Sequence, residues 1–212
     1  MSVLFEPGKI GNMELKNRFV RSATVELLCT DEGRGTVTIN AENQSMVFFI
    51  TSGDGNPVIS GLTIQGGSSA YGGGISGDEA SPIIEDCDIV ACTSTGSIGG
   101  GGIMIRYGGN PVLTDVTITS CQGEGGAGLQ CYGGTTPTLT RVTFAGNVST
   151  RSGGGCNIDG PSGAVSITDC DFYGNTVVPA GSGGGGLRLD ACDATITGCT
   201  FARNEAPLGA VL

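Results

Sequence analysis

The stretch PTLTRVTFAGNVSTRSGGGCNI, residues 137–158, holds two short runs in which apolar and polar residues alternate. In the first run Val142 and Phe144 lie two residues apart, the period of a strand that turns one face inward. Asn147 follows three residues later and suits a tight bend, because asparagine tolerates left-handed geometry and bonds its own backbone. Glycines at 153–155 then lead into Cys156-Asn157-Ile158, where the apolar residues are again two apart.

The same unit recurs outward in both directions. PVISGLTI (57–64), PIIEDCDI (82–89), PVLTDVTI (111–118), PTLTRVTF (137–144), VSITDCDF (165–172) and ATITGCTF (194–201) align with periods of 25–29 residues. Three apolar columns emerge. The first is Ile59, Ile84, Leu113, Leu139, Ile167 and Ile196; the second is Leu62, Cys87, Val116, Val142, Cys170 and Cys199; the third is Ile64, Ile89, Ile118, Phe144, Phe172 and Phe201. The bend position reads Gly67, Cys92, Cys121, Asn147, Asn175 and Asn204, and stacked asparagines there are expected to bond one another along an axis. The second half of each unit is glycine followed by an alternating strand: GGGIS (72–76), GGGIMI (100–105), GAGLQC (126–131), GGGCNI (153–158) and GGGLRL (184–189). Glycine permits a sharp corner and the close approach of neighbouring coils. LTRVTFAGN (139–147) also fits a leucine-rich repeat, but that fold does not return through glycine and a second alternating strand. The expectation is an all-β, right-handed parallel β-helix of about six to seven coils over 27–212, preceded by a short non-repeat segment, 1–26.

The paired signatures F-x-x-N (Phe144 to Asn147, Phe172 to Asn175, Phe201 to Asn204) and G-G-[AG]-[ILV] (Gly73 to Ile75, Gly101 to Ile103, Gly185 to Leu187) resemble the repeats of the polymorphic outer membrane protein family and the wider bacterial right-handed β-helix repeats. The resemblance runs from about residue 36 to 212. It implies a secreted or surface-displayed protein, often adhesive, and it transfers no catalytic residue. Residues 3–26 resemble something else. VLFEPGKIGNMELKNRFVRSATVE is similar to the opening of the old yellow enzyme family of flavin oxidoreductases, whose first strand, here ending at Ser22 to Thr24, would lie beside FMN. No barrel repeats follow, and the chain has no histidine, the residue those enzymes use on substrate. The segment is expected to act as a leader or a cap over the first coil.

Composition narrows the function classes. Net charge is −10, from 20 acidic and 10 basic residues, so nucleic acid and anionic lipid are not expected partners. No apolar stretch is long enough to span a membrane, and no signal peptide is visible at the start. Without histidine the usual general base and the commonest metal ligand are missing. Nine cysteines invite a disulfide framework, but Cys87, Cys170 and Cys199 share a column with Leu and Val and read as buried thiols. Cys92 and Cys121 are the pair that neighbouring coils would bring within bridging range. Asn43-Gln44-Ser45 and Asn147-Val148-Ser149 match glycosylation sequons, and the bend column claims Asn147 for structure.

The sharpest chemical hint is acidic. Asp86 and Asp88 flank Cys87, and Asp115 falls one coil beyond Asp86 with Arg141 next, so Asp86, Asp88 and Asp115 form a candidate calcium site on a solvated face. Two function classes remain. One is a non-catalytic extracellular or cell-surface module that binds a glycan or a surface protein along a sheet face. The other is a polysaccharide lyase or hydrolase of the pectate-lyase-like β-helix class; a fragment of an FMN-dependent oxidoreductase is a remote third. An enzyme is expected to show a groove where acidic, basic and aromatic residues converge, and the outward positions read mostly as Thr, Ser, Gly and isolated Asp. Only four tyrosines exist, with Tyr107 and Tyr132 in matching YGG loops, and that thin supply favours the first class. The tail LGAVL (208–212) aligns with the glycine-then-strand half of a unit, from which end-to-end self-association near Phe201 and Val211 is expected.

Overall fold

A computed structural model describes residues 8–10, 13–15, 24–29, 35–178 and 183–209, with side chains from 37 onward. The described residues form a right-handed parallel β-solenoid of about six turns. Three sheets run along its axis. The first contains Gly35–Asn40, Leu62–Gln65, Ile83–Val90, Val112–Thr119 and their successors to Thr200–Ala202. The second is a narrow ladder of two-residue strands from Ser68–Ser69 to Thr176–Val177. The third joins Phe48–Thr51, Ile75–Asp78, Ile103–Arg106, Leu129–Gly134, Cys156–Pro161 and Leu187–Asp190.

The three apolar columns stack as the alternation requires. Ile84 pairs with Leu113, Leu113 with Leu139, Leu139 with Ile167 and Ile167 with Ile196. Ile89, Ile118, Phe144, Phe172 and Phe201 form a second unbroken register. Every member of the three columns before the last coil is buried, and Ile196, Cys199 and Phe201 are partly buried. The columns begin one coil before the six aligned segments, because Val37 pairs with Leu62 and Ile39 with Ile64.

The bend column is a hydrogen-bonded ladder. Asn147 donates from Nδ2 to Oδ1 of Asn175 at 2.9 Å, and Asn175 does the same to Asn204 at 3.0 Å. Each also donates to a carbonyl of the preceding coil, so amides in a dry interior are satisfied. Asn147 is fully buried, which leaves its sequon nothing to offer a glycosyl donor.

One feature of the first sheet was hidden. Midway along each strand pair sits a residue with positive φ: Gly61, Asp86, Asp115, Arg141, Asp169 and Gly198, with values between 51° and 68°. The strand is therefore bent at Asp86, and Asp88 lies two residues beyond the corner rather than along one straight edge with it. Gly61 and Gly198 at the two ends of that column carried the signal, since glycine is the residue that adopts this conformation at no steric cost.

Glycine matters differently at the corner that feeds the third sheet. A Cβ on Gly102 would lie 2.6 Å from the carbonyl oxygen of Gly128, one on Gly128 2.5 Å from that of Gly155, and one on Gly155 2.5 Å from that of Gly186. Each coil's backbone occupies the space a side chain would need. Gly128→Ala is expected to destabilise by about 1–3 kcal/mol, because the contact is with backbone and with the Phe144 ring rather than a flexible tip. An unchanged midpoint in urea would show that the coils separate at no cost.

At the N-terminal side, Thr24–Cys29 pairs antiparallel with Gly35–Asn40 and covers the edge of the first sheet. This strand runs across the 26/27 boundary expected between the N-terminal segment and the repeat domain. Gly8–Ile10 and Met13–Leu15 form an antiparallel pair. Residues 16–23, including Ser22 of the flavin-enzyme resemblance, lie outside the described residues. At the other end the backbone of Leu208 and Gly209 accepts hydrogen bonds from Gly184 and Gly185, so this tail occupies the glycine corner of the next coil. Val211 lies outside the described residues.

Candidate functional site

The third sheet positions the site. Its inward residues, Leu129 and Cys131, Cys156 and Ile158, Leu187 and Leu189, fix the alternation, and the residues between them must point outward. Two outward columns result. One is Ser76, Met104, Gln130, Asn157 and Arg188; the other is Asp78, Arg106, Tyr132, Asp159 and Asp190. These residues bring acid, base, amide and phenol together, and of them the sequence singled out only Tyr132. The signal was the second and fourth residue of each glycine-fed strand.

Over the last three coils the columns floor a cleft of about 330 Å³. Its wall is the connection between the second and third sheets, contributing Ser97, Ile98, Arg151 and Ser152. The floor is wired along the solenoid axis. Gln130 Oε1 accepts from the backbone N–H of Gly126 at 2.7 Å and from Asn157 Nδ2 at 3.0 Å. Asn157 Oδ1 accepts from Arg188 Nη1 at 3.2 Å, and Arg188 Nη2 donates to Asp190 at 2.7 Å. Gln130 and Asn157 are almost fully buried, so the chain holds them in one orientation. Two guanidinium groups, Arg151 and Arg188, face two carboxylates, Asp159 and Asp190, so the cleft is close to electrically neutral in a chain of net charge −10.

Beside Tyr132 lies a second cluster. Arg106 donates to both oxygens of Asp78, at 2.6 and 3.0 Å. Its guanidinium stacks over Tyr71 at 3.7 Å and lies 4.9 Å from the centre of the Tyr107 ring. The hydrogen bonds that Arg106 donates to Asp78 raise the pKa of Arg106 above its ordinary value, against the effect of burial, so the guanidinium stays charged. Tyr107 and Tyr132 meet edge to face at 6.4 Å. Their YGG loops match in sequence but sit one residue out of register, because Arg106 is the residue that pairs with Tyr132, as the alignment of 100–105 with 126–131 requires. Burial of Ile105 and Cys131 sets that register and outweighs the identical tripeptide.

The acidic candidates on the first sheet are arranged otherwise. Asp86 and Asp88 are exposed, while both oxygens of Asp115 accept from Arg141, at 2.6 and 2.7 Å. That bidentate contact lowers the Asp115 pKa. A cation shared by Asp86, Asp88 and Asp115 has to compete with the Arg141 guanidinium. Among the described residues no three or more Asp, Glu, Cys or His side chains form a group arranged to hold a metal ion.

The eight cysteines with described side chains are free thiols. Burial pushes Cys87 and Cys170 up to about 11 and raises Cys131 and Cys156 too, so these thiols stay protonated at neutral pH. The two neighbouring thiols act on one another, Cys121 drawing Cys92 down and Cys92 pushing Cys121 up. In the bend column they stand in for asparagine: Cys121 donates to the carbonyl of Ile89 and Cys92 to that of Ile64, at 3.9 and 3.8 Å.

Comparison with curated proteins and with solved structures returned no match. The sequence does match the family described as a right handed beta helix region, over residues 11–160 and again over 96–210. Those two spans cover nearly the whole chain and coincide with the stacked coils, and the protein belongs to the right-handed β-helix family.

Proposed function

We propose that the solenoid is a non-catalytic, surface-displayed binding module that takes a glycan in the cleft of the third sheet. The observation that carries this reading is the pre-wired polar floor, Gln130–Asn157–Arg188–Asp190, open beneath a polar wall. Sugar hydroxyls both donate and accept, and the cleft offers both kinds of partner: guanidinium donors, carboxylate acceptors and the Tyr132 phenol. A floor held rigid before binding limits the entropy lost on association. The test is calorimetry with neutral and acidic oligosaccharides. Wild-type protein is expected to bind, and Asp159→Ala combined with Tyr132→Ala to lose at least ~1.4 kcal/mol, about tenfold. Wild-type protein that binds none of the panel would sink the reading.

A polysaccharide hydrolase or lyase is the second reading, favoured by one observation: Asp159 and Asp190 stand in register on adjacent coils at the same cleft, beside Arg188. Prolonged incubation with the bound glycan separates the two. Intact saccharide supports the binding module, and shortened products support the enzyme.

A further inference from the structure

We propose that the binding surface does not end at the cleft but continues over Tyr132 onto the Tyr71–Arg106–Tyr107 stack, and that its ligand is a linear glycan of neutral sugars laid along the solenoid axis. The inference rests on the cleft reading above and extends it to ligand class, length and direction.

The first argument is backbone strain. Tyr107 adopts φ 65°, a left-handed conformation that a bulky side chain enters only at a steric cost. Its backbone N–H donates to the Tyr132 carbonyl, which fixes it at a corner that the other coils fill with Glu79, Gly133, Gly160 and Ala191, all at positive φ. Glycine takes this conformation at least cost, and tyrosine is the bulkiest of the five residues in the column. The ring is not recovering its cost through burial, since Tyr107 remains 53% exposed. A strained, exposed aromatic side chain over a glycine is the arrangement expected where a ligand, and not the core, uses the ring.

The second argument is clustering. Three of the four tyrosines in the chain, Tyr71, Tyr107 and Tyr132, gather around one arginine. Arg106 is only 9% exposed and its charge is matched by Asp78, so it serves as a fixed, neutralised spacer between two rings. Tyr71 is also exposed, at 38%. The rings offer flat surfaces to the C–H faces of sugar rings, while the cleft beyond Tyr132 offers hydrogen bonds to hydroxyls.

Direction and length follow from register. Asp78, Arg106, Tyr132, Asp159 and Asp190 occupy one outward column on successive coils. Four steps of ~4.8 Å make this row ~19 Å long, the span of several linked sugars and far more than one. The ligand's charge follows from the site's. The balanced cleft and the Asp78–Arg106 pair leave no net positive potential, and the remaining surface repels polyanions.

The experiment is calorimetry of the full chain with cello-, xylo- and manno-oligosaccharides of two to six units, and with oligogalacturonate. Hexasaccharide of at least one neutral series is expected to bind about tenfold or more tighter than its disaccharide. Tyr107→Gly is expected to collapse that ratio while keeping or raising the melting temperature, because glycine relieves the corner. Tyr107→Phe should preserve the ratio. Length-independent binding, a Tyr107→Gly protein with the wild-type ratio, or oligogalacturonate bound as tightly as the neutral hexamer would each overturn this inference and leave the cleft reading standing. If no saccharide binds, both fall.

Discussion

Phe172→Ala is expected to lower the free energy of unfolding by about 3–5 kcal/mol. Phe172 is fully buried, and its ring lies between Phe144 at 4.9 Å and Phe201 at 4.6 Å, tilted by only 12° and 2°. Near-parallel rings at these distances fit the offset stacking that aromatic pairs favour. Here the backbone ladder imposes it, because each ring is carried by a strand one rung from the next. The same ladder prevents collapse after truncation. The coils cannot close on the missing ring without breaking their own hydrogen bonds, so the cavity persists and its cost is close to the full value. A solenoid coil touches only its neighbours, so this one change weakens the interfaces on both sides of the coil. Urea titration followed by far-ultraviolet circular dichroism measures it, and a loss below about 0.5 kcal/mol would mean that the ring is not a core element.

The core was legible because the fold demands the same thing at every coil. Ile84, Leu113, Leu139 and Ile167 must all be apolar and in phase, and repetition makes weak local signals add. The bend ladder was legible for the same reason, once Asn147, Asn175 and Asn204 were seen to recur. The binding cleft was not, because nothing in the fold makes outward residues agree: Met104, Gln130, Asn157 and Arg188 share a column and no chemistry. Their common position becomes visible only when register is known. The corner occupied by Asp86, Asp115 and Arg141 was missed on other grounds. A period-two reading assumes a straight strand, and charged residues at positive φ interrupt the strand without interrupting the apolar alternation around them.

Asn175→Ala is expected to cost about 3–4 kcal/mol, although it removes fewer atoms from the core than the phenylalanine change. Asn175 Oδ1 accepts from both the backbone N–H and the Nδ2 of Asn147, at 3.1 and 2.9 Å. Its Nδ2 donates to the Phe144 carbonyl at 2.8 Å and to Asn204 at 3.0 Å. Alanine leaves two donors of Asn147 and the carbonyl of Phe144 without these partners in a dry interior, where each orphaned group costs about 1–3 kcal/mol before relaxation. The same column supplies its own control. Two coils use cysteine at this bend, and Cys121 keeps the bond to the preceding coil's carbonyl, but at 3.9 Å and through a weak sulfur donor. Asn175→Cys therefore retains a fraction of what the amide does and is expected to fall between wild type and alanine. The order wild type, cysteine, alanine in urea midpoints would identify hydrogen bonding as the stabilising term. If cysteine instead matched wild type, volume alone would account for the column, and the asparagine ladder would be a consequence of the bend and not its cause.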